Sequence, residues 1–233
     1  MLDAALTRPE EIQKKSGYHH GNLRSAIFDA VAQLIGERKS LAFHLKDVAA
    51  LVGTSQPAIY KHFENKQSLL VETAVAGYGI QKKFRDYALD ISGPSPLQQL
   101  LAVGYAYVHF SRTYPGYFLL MKNLETDEIL SSPQYQRQRD ETLHLVRSLI
   151  AECMETGLFH KTDLNLVMTS LQSTALGLAN MYLLNQLEVV ARDLHKDKHL
   201  VSRIFKVSIE SFLTPEGKRH IRNAGANPFE DTD

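Results

Sequence analysis

Leu45-Lys-Asp-Val-Ala-Ala-Leu-Val-Gly-Thr-Ser-Gln-Pro-Ala-Ile-Tyr-Lys-His-Phe63 is the stretch that decides how this chain is read. Val48, Ala49 and Val52 recur at helical spacing, which predicts a short helix from about Leu45 to Val52. Ser55 is placed to cap a second helix, from about Gln56 to His62, and the first turn tolerates Pro57 because no N–H is needed there. Two helices joined by so tight a turn pack closely only if the first presents a small side chain, which Ala49 supplies. The turn needs a residue at ease with positive φ, which Gly53 supplies. Val48, Val52, Ile59 and Phe63 then close a small core with a preceding helix. Ser55, Gln56, Ala58, Tyr60, Lys61 and His62 remain on the outer face. Hydrogen-bonding groups around a small apolar residue suit a major groove, where Gln can grip adenine and Ala can touch a thymine methyl.

Helical spacing continues on both sides, and no stretch alternates with period two. Leu23, Ile27, Ala30, Val31 and Leu34 make an amphipathic helix ending near Gly36. Asn65 caps a long helix that carries Leu69, Leu70, Thr73, Ala74, Gly77, Ile80, Phe84 and Tyr87. Lys66 opens that helix. A cation in the first turn opposes the macrodipole, so it does not serve helix stability. Free N–H groups there attract anions, and lysine plus helix N-terminus makes a phosphate seat behind Tyr60 and His62.

Ser95-Pro96 starts the next helix, which runs to about Thr113. Pro115 and Pro133 punctuate the chain, and Gly157 ends the helix that begins near Pro133. Asp163 opens a long apolar helix to about Val190, and the last predicted helix spans about Asp197 to Leu213. The polar stretch after Pro215 reads as a mobile tail. The expected class is all-α. An arm and helix-turn-helix head occupy residues 1–65, a helical effector-binding and dimerisation body 66–214, and the tail 215–233.

With these residues in view, the segment from Tyr18-His-His-Gly-Asn-Leu-Arg24 through Gly53-Thr-Ser-Gln-Pro-Ala-Ile-Tyr-Lys-His-Phe-Glu-Asn-Lys66 to Leu70 resembles the DNA-binding head of the tetracycline-repressor (TetR) family. Tyr60-Lys-His-Phe-Glu-Asn-Lys66 is the most specific part. Tyr114-Pro-Gly-Tyr-Phe-Leu-Leu-Met121 and Glu155-Thr-Gly-Leu-Phe159 are similar to segments of many family bodies. The resemblance implies a homodimeric repressor whose second helix-turn-helix helix enters the major groove of double-stranded DNA. It places Gln56, Pro57 and Ala58 against bases, and Tyr60, His62, Lys66 and Ser55 against phosphates. Lys46 falls where the family often carries an arginine that reaches a base or phosphate; a lysine lacks the bidentate fork. His44 falls where the family usually caps the helix with Ser or Thr.

Composition limits the alternatives. The chain has 233 residues, 44% hydrophobic, with Lys+Arg 26 balancing Asp+Glu 26. Residues 1–66 hold nine basic and seven acidic side chains, so the front is slightly positive and the remainder slightly negative. That permits a DNA-binding head without establishing one. No apolar run reaches the roughly 18 residues of a membrane span, and the N-terminus lacks a signal-like apolar core. With the single Cys153, the reading is a cytoplasmic protein without disulfides. His19-His20 reads as a solvated entry, not a metal site. Cys153 reads as a buried inert thiol between Ile150 and Met154. Arg8, Lys14 and Lys15 fit a minor-groove arm and a solvated leader equally. No nucleophile elbow, Gly-rich loop or ligand cluster calls for an enzyme, a metal or a cofactor.

The body is rich in aromatic residues and methionine. Tyrosines gathered in a helical core must satisfy their hydroxyls, which suits a cavity with polar handles. Helical cores need aromatics too, and His109 reads equally as a satisfied core histidine; Phe84, Tyr105, His109, Phe118, Met121, Met168 and Leu171 are the expected lining for a small organic effector. Leu171, Ala175, Leu178 and Tyr182, continued by Ile204, Phe205 and Phe212, form a stripe that suits the interior of one chain or a homodimer seam. Gly177 and its small neighbours point to close helix approach, and the family resemblance favours the seam. The leading reading is a repressor released from a palindromic operator by a small organic effector. A DNA-binding regulator controlled by a protein partner is the alternative, and an α-helical carrier or enzyme the third. Salt-dependent binding to a palindromic duplex separates the third from the others, and ligand-induced release separates the first two.

Overall fold

The structure, a computed structural model, describes residues 23–190, 192–222 and 227–229. Among them every regular element is helical, and Phe159 and Leu213 form one isolated antiparallel bridge. The arm residues Arg8, Lys14 and Lys15, the pair His19-His20 and the start of the Tyr18–Arg24 motif lie outside the described residues.

Three helices build the head: α1 (Leu23–Arg38), α2 (Leu45–Val52) and α3 (Gln56–Tyr60). Ile27, Val31, Ile35, Val48, Ala49, Ile59 and Phe63 are its buried core, and the apolar positions of all three helices converge on it. Asn65 caps α4 (Lys66–Ile91) by accepting from the Ser68 N–H at 2.8 Å, and the Ser68 hydroxyl accepts from the Asn65 N–H at 3.2 Å. This reciprocal box satisfies two donors that the helix start would leave unpaired. Then come α5 (Pro96–Thr113), α6 (Pro115–Lys122), α7 (Asp127–Ser131) and α8 (Pro133–Glu155), each beginning at proline except α7, which Thr126 caps. The break between α5 and α6 is a single residue, Tyr114, pushed out of helical geometry by the proline that follows. The chain continues as α9 (Leu164–Leu183), α10 (Leu187–Val190), α11 (Leu200–Ile209) and α12 (Pro215–Arg222).

Backbone contacts group these helices into two compact units. The first holds the described chain to Lys82 together with Thr113–Asp140. The second holds Lys83–Arg112 and the described chain from Glu141 onward, and α4 and α8 each begin in the first and end in the second. In the first unit α1 packs on α6 backbone to backbone. A Cβ on Gly116 would lie 1.7 Å from the Ala32 carbonyl oxygen, so only glycine fits there. In the second unit α9 packs against α11, burying Val167, Leu171, Ala175, Leu178 and Ala179 on one side and Val201, Phe205 and Ile209 on the other. Cys153 is buried there, and burial pushes its thiol up to about 12.

Four boundaries differ from the sequence expectation. The second helix-turn-helix helix ends at Tyr60, and Lys61 and His62 continue as a turn bonded to Ala58 and Ile59. The helix expected to reach Val190 stops at Leu183, because Asn185 takes a left-handed φ of 52°. The helix expected from Asp197 to Leu213 covers Leu200–Ile209, since the Asp197 carboxylate holds the His199 N–H at 2.9 Å and a 3-10 turn follows Ile209. The tail read after Pro215 contains α12. Thr214 caps it, accepting from the Gly217 N–H at 3.1 Å, by the same cap-plus-proline signal that starts α5.

Candidate functional site

Local chemistry sets the head's outer face. Gly53 closes α2 with φ 70°, as the tight turn requires. Ser55 caps α3, its hydroxyl accepting from the Ala58 N–H at 3.3 Å. His44 holds the N-cap position of α2, where the family pattern expects a hydroxyl. Asp47 compensates from three residues on, accepting from the His44 N–H at 3.1 Å while pairing with Arg38 at 3.0 Å. The His44 N–H, aided by Arg38, holds the Asp47 carboxyl below its usual range despite some desolvation. Ile59 and Phe63 turn inward, whereas Gln56, Pro57, Lys61 and His62 are exposed, Tyr60 is 50% exposed, and Ala58 is half-buried.

Lys46, Gln56, Tyr60 and Lys66 border one open hollow of about 600 Å³, with Ala42–Leu45 as its back wall. Candidates for base contact and for phosphate contact thus meet at one place. Ser55, Pro57, Ala58 and His62 lie outside that lining. Lys66 does more than the sequence indicates. Its ammonium donates to the carbonyl oxygens of Leu41 at 2.6 Å and Phe43 at 2.7 Å, and sits 4.0 Å from the centre of the Phe43 ring. Desolvation, with Arg38 nearby, lowers its pKa. Two of three ammonium hydrogens therefore clasp the α1–α2 loop.

Sequence reasoning assigned no role to the residues that tie the head to α4 and α6. Arg24 pairs with Glu72 on α4, donates to the His62 carbonyl at 3.4 Å and lies 4.8 Å from the Phe63 ring centre. Tyr117 on α6 donates to the Asp29 carboxylate on α1 at 2.8 Å. Burial raises the pKa of Asp29, partly offset by that bond, and burial first of all raises Tyr117. Lys122 on α6 donates to the Tyr78 hydroxyl at 2.8 Å. The Tyr135 hydroxyl on α8 lies 2.7 Å from the Met121 carbonyl oxygen and beside a Glu125 carboxylate oxygen, its one hydrogen serving one of the two. Burial lowers Lys122 to about 8. The proline-glycine start of α6 was the available signal for close approach; the polar partners, far apart in sequence, left none.

The expected effector lining divides between the units. Phe118 and Met121 are fully buried in the first. Phe84, Tyr105, His109, Met168 and Leu171 belong to the second, where Phe84 and His109 lie 5.5 Å apart. Tyr105 and His109 border a small cavity with Val108, Arg112, Lys198 and Val201; Met168 and Leu171 are buried in α9 away from its lining. An aromatic residue from far along the chain, Phe229, stacks on His109 at 4.5 Å. The expected seam residues Leu171, Ala175, Leu178 and Phe205 are already buried within one chain, so no partner is needed to cover them. Phe205 meets Tyr105 edge-on at 5.6 Å, while Tyr182, Ile204 and Phe212 are half-buried. Exposed on the same elements are Leu166, Thr169, Ser173, Gly177 and Leu184 of α9 and its end, Val189 and Val190 of α10, and Val207 of α11.

Among the described residues, no group of three or more His, Cys, Asp or Glu could hold a metal ion, and no helix is long and apolar enough to cross a membrane. The model of the bacterial regulatory proteins, tetR family, matches residues 27–73, and that of a tetracyclin repressor-like C-terminal domain matches residues 100–200. No curated protein matches the chain. Among solved structures, a TetR family transcriptional regulator, PfmR from Thermus thermophilus, is similar with TM-score 0.57 and 23% identity, covering 73% of this chain and 91% of that one. The ketosteroid transcriptional regulator of Mycobacterium tuberculosis is similar with TM-score 0.64 and 14% identity, covering 85% and 98%. AibR, solved with isovaleryl coenzyme A and operator DNA, is similar with TM-score 0.58 and 15% identity, covering 69% and 85%.

Proposed function

The chain belongs to the tetR family of bacterial regulatory proteins, and on that premise we propose that it is a homodimeric repressor released from a palindromic operator by a small organic effector. The observation that carries the DNA half is the exposed face of the head. Gln56, Tyr60, Lys46 and Lys66 gather on one hollow, while Ile59 and Phe63 hold that face rigidly from behind. Gln56 and Ala58 read base edges, Pro57 packs beside them, and Tyr60, His62 and Lys66 hold phosphates. Lys46 supplies a further positive charge at the rim. Ser55 acts through the cap it provides to α3.

The effector half is supported by the packing of α6 on α1 of the head, two helices that meet at Gly116 with no side chain between them. Within that unit a displacement of α6 is passed to α1, since packed backbones do not deform continuously. Two heads on one DNA face must match half-sites ~34–36 Å apart, or a multiple, so a few ångströms of change disfavours the operator. The effector must bind the released state better than the operator-bound one; tight binding alone shifts nothing. An amphipathic organic molecule suits the body's aromatic and methionine-rich interior. The dimer is formed by α9 and α11. Its seam is the face that one chain leaves open, Leu166, Thr169, Ser173, Gly177 and Leu184 with Val207, whose small residues permit close approach.

Duplexes selected from a random pool by the full chain test the first half. An inverted repeat bound by two chains, with affinity falling steeply as salt rises, is expected; a pool that stays random would refute it. Release of the selected duplex by small organic molecules but not by divalent metals is expected for the second half. Release only by a metal, abolished by chelator, would refute that.

A further inference from the structure

We propose that the segment 227–229 is a built-in occupant of the effector cavity, and that the effector is a small aromatic anion that must take the place of Phe229. The inference rests on the reading that the body binds an effector. Phe229 is only 4% exposed and lies in a slot of rings: His109 stacked at 4.5 Å, Tyr87 at 5.9 Å and Phe84 at 6.2 Å. Asn227 is buried with it, and its side-chain oxygen accepts from the Phe229 N–H at 3.0 Å, a local turn that fixes the ring's approach. Around the seated ring the cavity keeps about 10 Å³, no more than one water's room, so a ring-sized ligand and Phe229 cannot share it.

The occupant is poised to leave. One buried ring favours the seated state, but fixing its backbone opposes it with a cost of similar size. The slot therefore exchanges its ring for a ligand that offers more. The cavity's border shows what more means. Arg112 and Lys198 stand beside His109, and Arg112 is held in place over the Tyr182 ring at 4.8 Å. A ligand that displaces Phe229 needs a planar ring to stack on His109 and an anionic group near the two cations.

The chain has no tryptophan, so Phe229→Trp introduces a single reporter into the full protein. Benzenesulfonate, a single ring bearing one anionic group, serves as the aromatic anion and benzenesulfonamide as its uncharged counterpart, with affinities read by calorimetry. In the free protein the new indole should emit at short wavelength and resist acrylamide; at saturating sulfonate probe its emission should move to the red. Phe229→Ala should bind the sulfonate about ten-fold more tightly than wild type, because the competing occupant is gone. Lys198→Gln should weaken the sulfonate several-fold and leave the neutral probe unchanged.

An indole that stays buried at saturation would overturn the proposal; should the slot reject the larger indole in the free protein, the affinities of wild type and Phe229→Ala decide alone. Equal affinity of the sulfonate for wild type and Phe229→Ala, or no binding to either, would overturn it as well. Should Phe229→Ala lose its helical circular dichroism, the indole shift decides alone. Both readouts are free of DNA, so their failure and a failure of operator binding are told apart.

Discussion

The head and the body hold their decisive side chains by different means. In the head, Ser55, Gly53, Asn65 and Asp47 each act within a few residues of where they stand, as caps or turns. In the body, Phe84 and His109 meet Phe229 from the other end of the chain. Short-range chemistry fixes the face proposed to read DNA, whereas long-range packing fixes the slot from which the proposed effector displaces Phe229. The proposed switch needs that difference: the surface keeps its shape, and the cavity changes occupant.

Glycine replacements break the comparison most sharply. Gly116→Ala puts a methyl group against the Ala32 carbonyl in the first unit, where backbone cannot yield. Overpacking of that kind should cost about 3 kcal/mol or more, lowering Tm by roughly 6–12 °C. Gly177→Ala meets nothing within 4 Å in one chain and should raise helix stability by about 1 kcal/mol. Gly177→Leu should leave the fold intact and weaken the dimer by sedimentation, because it fills the proposed seam. Equal melting losses for Gly116→Ala and Gly177→Ala would erase the distinction between joint and open face.

Lys66→Met asks whether the clasp on the loop carries stability as well as DNA affinity. It leaves the carbonyls of Leu41 and Phe43 without their donor and should cost roughly 1–2 kcal/mol in denaturant melts. Tyr60→Phe, on the same hollow but exposed, should leave stability unchanged and weaken every duplex alike. A Lys66→Met protein as stable as wild type would return Lys66 to a purely phosphate-binding role.

The head was the legible part. Gly53, Ser55, Asn65 and the inward set Val48, Ile59 and Phe63 stand where spacing placed them, because turn and cap chemistry is local. Lys66 was only half legible: its position at a helix start is visible in sequence, but its carbonyl partners lie more than twenty residues upstream. In the body, hydrophobic periodicity identifies α9 and α11 but not which side of each faces its own chain. Leu178 and Phe205 therefore read equally as seam or core until packing decides. Phe229 carried no signal at all, since a lone aromatic in a polar stretch has no period.

A smaller effect comes from the polar cluster on α6. Burial lowers Lys122 from 10.5 to about 8, so below that pH the folded and unfolded states both hold the proton and stability is flat. Above about 8 the unfolded state binds the extra proton, and stability rises with pH. From the ordinary thiol value of 9.0 the unfolded chain begins to lose the proton that folded Cys153 retains to about 12, which offsets the rise. From the ordinary tyrosine value of 10.0 it also loses the one that folded Tyr78, pushed up to about 12, retains, and the trend reverses. Denaturant melts across this range should show the rise, and Lys122→Met should remove it while keeping the fall.

The direct test of the central claim compares Gln56→Ala with wild type, each selecting duplexes from the same random pool. The exposed face of the head predicts an inverted repeat for wild type. For the variant it predicts the same repeat with preference relaxed at one symmetric base pair per half-site, at a cost of roughly 1–3 kcal/mol on the original duplex. A variant whose selected sequence is unchanged, or a wild type that selects none, would contradict the assignment of this face to DNA.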